Sequence, residues 1–246
     1  MLIVVPVDPP REGLVLSALV DRTPLTASEA VTLYEAAVTD VLRAATGSGG
    51  DLLVNYRDAE TLPDEDAAGD PEGEIRELAE FALDDTDDVR FERQIGSTRA
   101  ARIGNTVTHL LEREAVQTVG VLEPTVPLVA RTELDGAAMS LRRHDVVLGP
   151  SSGGRTYFAG FAEPIDFSDA YEPPALSTLA DRTADAGLGL GFAPMLPTIT
   201  SEPGLCATVA MLDARARADR PSGAATAAVL EDLGLVVGRE GGLDRQ

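Results

Sequence analysis

The chain has 246 residues, 44% of them hydrophobic, which is enough to build one large α/β domain around a buried core. Its 41 acidic residues against 20 basic ones give a formal net charge of −21, and the sequence contains no lysine. This balance disfavours a nucleic-acid partner, because neutralising phosphates requires a basic surface. The acidity is typical of a high-salt cytoplasm, where carboxylates hold water and charge repulsion is screened within about 3 Å at molar salt.

The first residues and the cysteine usage indicate an intracellular protein. Leu2–Val7 is apolar but short and no basic leader precedes it, so we expect a buried strand rather than a signal peptide or a membrane span. Cys206 is the only cysteine, so a disulfide within one chain cannot form. The acidic runs at 64–74 and 84–88 are expected to be solvated loops. We therefore expect a cytoplasmic protein.

Apolar periodicity predicts alternating strands and helices over the first half of the chain. Strands at Leu2–Val7 and Asp51–Tyr56 are separated by a helix over 26–45, which Thr26 or Ser28 can cap. The elements that follow are a helix at 74–83, a strand at 89–93, a helix at 98–114 and a strand at 116–124.

The second half continues this alternation and then changes character. A helix at 131–143 and a strand at 145–150 are followed at 155–167 by a strand that either pairs with its predecessor or leaves the sheet. The later elements are a helix at 173–187, a strand at 188–199, two helices from 204 onward that are broken at 221–223, and a short apolar strand or tail.

Strands that alternate with helices are parallel and joined by right-handed crossovers, so the pattern predicts a doubly wound sheet with helices on both faces. One domain over 1–246 is the simplest interpretation. Ligands of such folds bind at the carboxyl ends of the strands. This rule selects four loops: residues 8–13, the segment from 57 onward, residues 123–127 and residues 150–155.

The loop after the first strand, PVDPPREG, is a candidate nucleotide site by its position. Asp8 follows the strand, Pro9 stiffens the exit, Arg11 can reach a phosphate, and Gly13 permits a tight turn. Further along, Glu123 ends a predicted strand, where a carboxylate can hold a divalent cation together with nucleotide phosphates. Glu123 is equally consistent with a surface acid in a very acidic protein.

The turn GPSSGG joins two predicted strands and is a second candidate site. Gly149, Gly153 and Gly154 allow close backbone approach and expose amide groups that can cradle a phosphate, with Ser151 and Ser152 between them. The turn is not a Walker loop, since it lacks the lysine and no helix follows. The alternative is a connection between strands that needs glycines at positive φ.

A group of arginines can also hold an anion. Arg99 and Arg102 are three positions apart, so they share one helix face, and Arg93 precedes them. Their ordinary role in so acidic a chain is pairing with aspartate or glutamate. Ser-His-Asp chemistry and a histidine metal cluster are not supported, because His109 and His144 are the only histidines and the sequence has no G-x-S-x-G elbow.

The order of these pieces resembles the radical-SAM/selenodomain-associated transferase family, a branch of the GT-A-like nucleotide-diphospho-sugar transferase superfamily. The best local match is DVVLGPSSGGRTYFAGF at 145–161, which is similar to DVVLGPAEDGGYYLIGL in that family. VVPVDPPREG and VPLVARTEL are similar to the family's FAKAPRPG and CPDLTPELL. The resemblance covers residues 1–200, leaves 201–246 as a C-terminal helical extension, and indicates a divergent, haloarchaeal-type member.

This resemblance implies a three-layer α/β/α sandwich around a mixed, mostly parallel sheet. It implies a nucleotidyl- or glycosyl-transferase-like protein whose nucleotide or nucleotide-sugar lies near the first loop. It also implies a divalent cation, Mg²⁺ or Mn²⁺, on a strand-end carboxylate, for which Glu123 is the candidate. The glycine turn would then shape the acceptor side.

Several polar positions of the family are changed in this chain. The replacements are Asp8 for a lysine, Leu16 and Ala18 for later basic residues, Thr125 for the strand-end aspartate, and Ser152 and Gly153 for an acidic pair. A catalytically silent member that serves as a binding or assembly module is therefore the alternative. A 2-phospho-L-lactate guanylyltransferase-like enzyme is a further alternative, although the first loop lacks the basic residues that such enzymes carry.

Overall fold

The computed structural model describes residues 1–220 and 222–246, and a seven-stranded sheet lies at its centre. The strands are β1 (Leu2–Val7), β2 (Asp51–Tyr56), β3 (Arg90–Arg93), β4 (Val119–Leu122), β5 (Val146–Pro150), β6 (Thr156–Phe161) and β7 (Leu190–Phe192). They lie in the order β3-β2-β1-β4-β6-β5-β7. Every residue of β1 is buried, as expected for a strand that is covered on both faces.

Helices connect most of these strands. They are α1 (Ser17–Val20), α2 (Ala27–Thr46), α3 (Pro71–Ala82), α4 (Arg99–Glu112), α5 (Arg131–Ser140), α6 (Ala175–Asp185), α7 (Glu202–Arg217) and α8 (Ala224–Asp232). A separate hairpin is formed by β8 (Leu235–Val237) and β9 (Leu243–Arg245). Among residues 1–220 and 222–246, no helix combines the length and the apolar character needed to cross a bilayer.

The sheet is mixed and mostly parallel, as the sequence predicts. The pairs β1–β2, β1–β4, β2–β3 and β5–β7 are parallel. β6 runs antiparallel to both of its neighbours, β4 and β5. The strand predicted near 155–167 therefore pairs with its predecessor, and it also separates that strand from the parallel half of the sheet.

Helices cover both faces of the sheet and make three layers. On one face, α2, α3 and α5 pack on β1, β2 and β4 around buried residues such as Val38, Ile75 and Leu134. On the other face, α4 and α6 pack through Val107 and Leu179. This arrangement confirms the predicted three-layer α/β/α sandwich.

Capping residues explain where two of the helices begin. Thr26 caps α2 with a complete capping box, since it accepts a hydrogen bond from the Glu29 N–H and the Glu29 side chain accepts one from the Thr26 N–H. α3 begins at Pro71 rather than at the predicted residue 74, because the Asp70 side chain accepts from the Gly73 N–H at 3.0 Å. The end of the acidic run at 64–74 is thus helical and not a loop.

The C-terminal residues pack on the outer side of α2. The carboxylate of Asp40 accepts hydrogen bonds from the N–H groups of Ala225 (3.0 Å) and Thr226 (2.8 Å), so a side chain of one helix caps the start of another, α8. Two helices and a short apolar strand are present as predicted, whereas β9 was not predicted. The predicted break at 221–223 includes position 221, which lies outside the described residues.

Glu29 ties the C-terminal strand β9 to α2, and we expect this tie to depend on pH. Its carboxylate accepts from both terminal nitrogens of Arg245 (2.8 and 2.9 Å), and this pairing, together with the hydrogen bond from the Thr26 N–H, lowers the pKa of Glu29 from 4.5 to about 2. A lowered carboxylate pKa stabilises the fold above the ordinary pKa and loses that effect as the pH falls through the folded-state value. Glu29→Gln should therefore lower the free energy of unfolding by about 1 kcal/mol above pH 4.5.

Urea unfolding at several pH values tests this expectation. The difference between the wild type and Glu29→Gln should shrink as the pH falls from 4.5 towards about 2. Glu12→Gln, at an exposed loop position, is the control, and its effect should stay below about 0.5 kcal/mol throughout. A Glu29→Gln effect that does not change with pH would show that the carboxylate charge is not what holds β9.

Candidate functional site

Polar residues follow five strands directly at one edge of the sheet. They are Asp8, Arg57, Gln94, Glu123 and Ser151, which come after β1, β2, β3, β4 and β5. β1 lies between β2 and β4, so the connections that leave these strands diverge there. A crevice for a ligand opens at such a point in an α/β sheet.

Asp8 is held at the end of β1 by contacts with two other elements. The backbone N–H of Asp8 donates to the Tyr34 hydroxyl at 3.0 Å, and that hydroxyl donates to the Asp8 carbonyl at 3.2 Å. Burial raises the pKa of Tyr34, so the phenol stays protonated and keeps this pairing. The Asp8 carboxylate lies 3.5 Å from Nη1 of Arg57, and Arg57 also donates to the Thr61 carbonyl.

Glu123 is paired with Arg99, the first residue of α4. Nη2 of Arg99 lies 2.6 Å from both carboxylate oxygens of Glu123. Glu123 raises the pKa of Arg99, with a smaller contribution from Asp8, so the guanidinium lies within Coulombic reach of both strand-end carboxylates. The same guanidinium lies 5.9 Å from the centre of the Tyr171 ring. Arg99 therefore connects the crevice at β1 with the cavity beyond β4.

Arg102 lies one turn further along α4 and is buried, with 8% of its surface exposed. Its Nε donates to Oε1 of Gln94 at 2.8 Å, and Gln94 in turn donates to the carbonyl of Asn55. Among the described residues, no carboxylate lies within ion-pair distance of Arg102. Burial lowers its pKa, the nearby charges of Arg57 and Arg99 lower it further, and the carboxylate of Asp8 opposes them in part by raising it. The folded environment therefore disfavours the positive charge that Arg102 carries.

A cavity of about 220 Å³ adjoins this crevice. It is lined by Arg99, Glu123, Thr125, Arg155, Tyr171 and Thr198 together with neighbouring residues. The hydroxyl oxygens of Thr125 and Tyr171 are buried and have no hydrogen-bond partner in the part of the chain that the structure describes. Buried polar atoms are nearly always bonded, to protein or to water, so these two hydroxyls can bond a water or a polar ligand in the cavity.

The glycine turn after β5 brings Arg155 to this cavity. Ser151 is buried, its N–H donates to the Arg155 carbonyl at 2.8 Å, and its hydroxyl donates to the Thr198 hydroxyl at 3.4 Å. Gly153 (φ 69°) and Gly154 (φ 73°) occupy the left-handed region that closes the turn. Arg155 is exposed and also borders a second cavity, of about 380 Å³, that contains Arg22.

Gly149 and Ser152 differ in their surroundings from the other residues of this turn. Gly149 belongs to β5, and a Cβ atom there would lie 2.7 Å from the Tyr157 ring and 2.9 Å from Cβ of Phe158. Its side-chain position therefore faces packed aromatic residues. Ser152 starts the short helical turn 152–154 and is partly exposed.

The predicted nucleotide-binding residues of the first loop are not all gathered at the crevice. Asp8 and the buried Pro9 lie at its edge. Arg11 points to the acidic segment, where Nε and Nη2 donate to the Glu74 carboxylate at 2.9 and 2.6 Å and Nη1 donates to the Asp66 carbonyl. Gly13 has a φ of 82° and is exposed. The role assigned to this loop stays a prediction, with Arg11 bound to Glu74.

A divalent cation on Glu123 does not fit the residues present. Both of its oxygens are taken by Arg99, and the nearby Asp8 carboxylate is paired with Arg57. Within residues 1–220 and 222–246, no cluster of three or more histidine, cysteine, aspartate or glutamate side chains could hold a metal ion. A hard cation needs several oxygen ligands, and a guanidinium at 2.6 Å repels it.

Some residues of the site had sequence signals and others had none. Arg99 and Arg102 were recognised as a group that could hold an anion, and the structure pairs only Arg99 with a carboxylate. Arg93, their predicted companion, is exposed and pairs with Asp58 and Glu60 instead. Arg155, Tyr34 and Tyr171 were missed. Arg155 directly follows the glycine pair of the turn between β5 and β6, and this position is a signal that could have indicated it.

Comparisons with known proteins identify the fold. No protein-family model matches the sequence, and no curated protein matches it. A solved structure from Desulfovibrio desulfuricans G20, described as a candidate nucleotide-diphospho-sugar transferase, aligns with a TM-score of 0.72 at 17% identity, covering 94% of each chain. A cytidylyltransferase from Leptospira borgpetersenii aligns with a TM-score of 0.51 at 10% identity, covering 94% of this chain and 92% of that one.

These alignments extend over nearly the whole chain. The chain therefore has the three-layer α/β fold found in nucleotide-diphospho-sugar transferase-like structures.

Proposed function

We propose that the chain is a nucleotidyl- or glycosyl-transferase-like protein that binds a nucleotide or nucleotide-sugar in the crevice at the ends of β1, β2 and β4. The fold supports this proposal, because it is shared with a candidate nucleotide-diphospho-sugar transferase and, more distantly, with a cytidylyltransferase. The crevice also lies where α/β sheets of this kind bind ligands.

The main support for the proposal is that Arg102 is buried and positively charged. The chain has 41 acidic residues for 20 basic ones, yet this buried arginine has no carboxylate partner among the described residues. A buried charge without an ion-pair partner lowers the stability of the fold, and the contact of Arg102 with Gln94 requires only its Nε, so the rest of the guanidinium has no role in folding that the described contacts account for. A phosphate group of a ligand supplies the missing negative charge.

The neighbouring residues divide the site into two parts. Arg57, Arg99 and Arg102 surround the end of β1, where three guanidinium groups outweigh the carboxylates of Asp8 and Glu123. This part suits the phosphates of a nucleotide, since guanidinium groups bind phosphate oxygens in pairs. The adjoining cavity offers hydroxyl groups and suits the sugar or the acceptor.

The same proposal includes the finer assignments. The match at 145–161 supports the radical-SAM/selenodomain-associated branch of the superfamily, with Gly149, Ser151, Ser152, Gly153 and Gly154 on the acceptor side. The acidic, lysine-free composition supports a haloarchaeal-type protein that works in a high-salt cytoplasm.

A catalytically silent binding module is the second candidate, and one observation favours it. Both strand-end carboxylates of the crevice are paired with arginines, Glu123 at 2.6 Å and Asp8 at 3.5 Å. Slow hydrolysis of a bound donor, with release of pyrophosphate or of a sugar, would exclude this candidate. The 2-phospho-L-lactate guanylyltransferase-like alternative predicts a preference for GTP.

Nucleotide titrations of the purified chain in molar KCl test the proposal. We expect at least one of CTP, GTP, UTP and UDP-glucose to raise the melting temperature, because a ligand that binds only the folded state stabilises it. Arg57→Gln should weaken that binding about tenfold, through the loss of a charged hydrogen-bond donor. Arg217→Gln, which removes an exposed arginine paired with Asp213, should leave binding unchanged. No response to any of these ligands by folded protein would refute the proposal.

A further inference from the structure

We infer that this chain binds the phosphates of its ligand through arginine side chains without a divalent cation, and that Arg99 occupies the place beside Glu123 that a cation would take. This inference rests on the proposed function, since it concerns how the same crevice holds a nucleotide. It follows from three observations on the described residues.

The first observation is the geometry of the Arg99–Glu123 pair. One terminal nitrogen lies 2.6 Å from each carboxylate oxygen, so it occupies the position from which a cation would contact both oxygens. The Glu123 side chain is only 17% exposed, and its backbone N–H is fixed by the Tyr157 carbonyl at 2.8 Å. The carboxylate therefore has little freedom to turn towards a cation elsewhere.

The second observation concerns the other oxygen ligands that a cation would need. Asp8 is paired with Arg57, and the Thr125 hydroxyl supplies a neutral oxygen at most. The parts of the chain that the structure describes hold no cluster of three metal-ligating side chains. Mg²⁺ at a nucleotide is usually held by one or two carboxylates together with phosphates and waters, and both carboxylates of this crevice are paired with arginines instead.

The third observation is that Arg99 keeps donors for a ligand. Only its Nη2 donates to Glu123, while Nε and Nη1 have no hydrogen-bond partner among the described residues. Its side chain is 39% exposed and lines the cavity. Nε and Nη1 point in different directions, so each can donate separately to an oxygen of a phosphate. Arg57 and Arg102 add positive charge nearby.

The test compares binding with and without a cation. The full chain is dialysed against EDTA in molar KCl and titrated with whichever of CTP, GTP, UTP and UDP-glucose stabilises it most. The Kd should agree within about threefold in EDTA, MgCl₂ and MnCl₂. This comparison uses the wild-type protein, so it does not depend on whether any variant folds.

Two variants then assign the role to Arg99. Arg99→Gln should raise the Kd in EDTA about tenfold or more, because charged hydrogen-bond donors are lost. It also releases the Glu123 carboxylate, so MnCl₂ should recover part of the affinity. The double variant Arg99→Gln with Glu123→Gln should not respond to MnCl₂, and Arg217→Gln should bind like the wild type under every condition.

The outcomes separate the inference from the function on which it rests. Wild-type binding that requires Mg²⁺ or Mn²⁺ would overturn the inference and leave the proposed function intact. Unchanged affinity of Arg99→Gln in EDTA, or no recovery of that variant by MnCl₂, would overturn the role of Arg99. Absence of binding under all conditions would refute the proposed function and the inference with it.

Discussion

Replacing Arg102 with glutamine is expected to raise the free energy of unfolding by about 1 kcal/mol and to weaken nucleotide binding about tenfold or more. The two effects have one cause. Arg102 is 8% exposed, and its burial and the charges of Arg57 and Arg99 outweigh the attraction of Asp8, so the folded state disfavours its charge. A bound phosphate compensates that charge, and the free protein lacks the phosphate.

Glutamine is the informative substitution because it keeps the contact that Arg102 makes with the fold. Its Nε2 lies at the same distance along the side chain as the arginine Nε, which donates to Oε1 of Gln94 at 2.8 Å. The variant therefore loses the guanidinium head while Gln94 keeps its partner. Leaving the buried Gln94 oxygen unpaired would cost about 1–3 kcal/mol and hide the gain.

Urea unfolding and nucleotide titration of the same preparations measure both effects, with Arg217→Gln as the surface control. A variant that is less stable and binds normally would show that Arg102 is a structural residue. A variant whose stability and nucleotide affinity both fall would also contradict this role of Arg102, which predicts higher stability together with lower affinity.

Replacing Gly149 with valine is expected to lower the free energy of unfolding by about 3 kcal/mol. The new Cβ would lie 2.7 Å from two atoms of the Tyr157 ring and 2.9 Å from Cβ of Phe158. Both aromatic side chains are only 1% exposed, so neither can move aside into solvent. Overpacking in a close-packed interior forces backbone shifts.

Gly136→Ala is the matched control for this substitution. Gly136 lies within α5, and a Cβ there meets no atom within 4 Å. Alanine should raise the free energy of unfolding by about 0.5–1 kcal/mol, because it restricts the unfolded chain and favours the helix. Denaturant unfolding of both variants checks the pair. A Gly149→Val protein as stable as the wild type would mean that β5 and β6 can separate locally at no cost.

The fold follows from the sequence because its signals are local. The β-branched runs of β1 and β2, the helical period of α2 and the capping box at Thr26 are each readable within a few residues. A strand was predicted at 188–199, but β7 has only three residues, because the proline-rich segment that follows cannot continue the sheet. The hairpin partner β9 was missed, since its three residues, LDR, carry no strand pattern.

The site is less predictable, because its contacts join distant segments. The strand-end rule found Asp8 and Glu123, which depend only on the order of elements. It could not find their arginine partners, because 41 acidic residues offer too many alternatives. Arg102 was expected to pair with an acid, and only the three-dimensional arrangement shows that, among the described residues, its Nε donates to Gln94 instead. The unpaired hydroxyl of Tyr171 likewise becomes visible only once the cavity is formed.

The contacts between α2 and the C-terminal residues affect how the chain can be assembled during synthesis. Ala225 lies 185 positions after Asp40, and Arg245 lies 216 positions after Glu29. Until the later residues leave the ribosome, the cluster around Leu33 and Ala37 of α2 lacks its C-terminal members, such as Leu230. Contacts of such long separation form slowly, since the entropy of closing the loop is lost before the contact is gained. A nascent chain at that stage exposes an apolar strip to chaperones, and docking of α8 and the β8–β9 hairpin is the step that buries it.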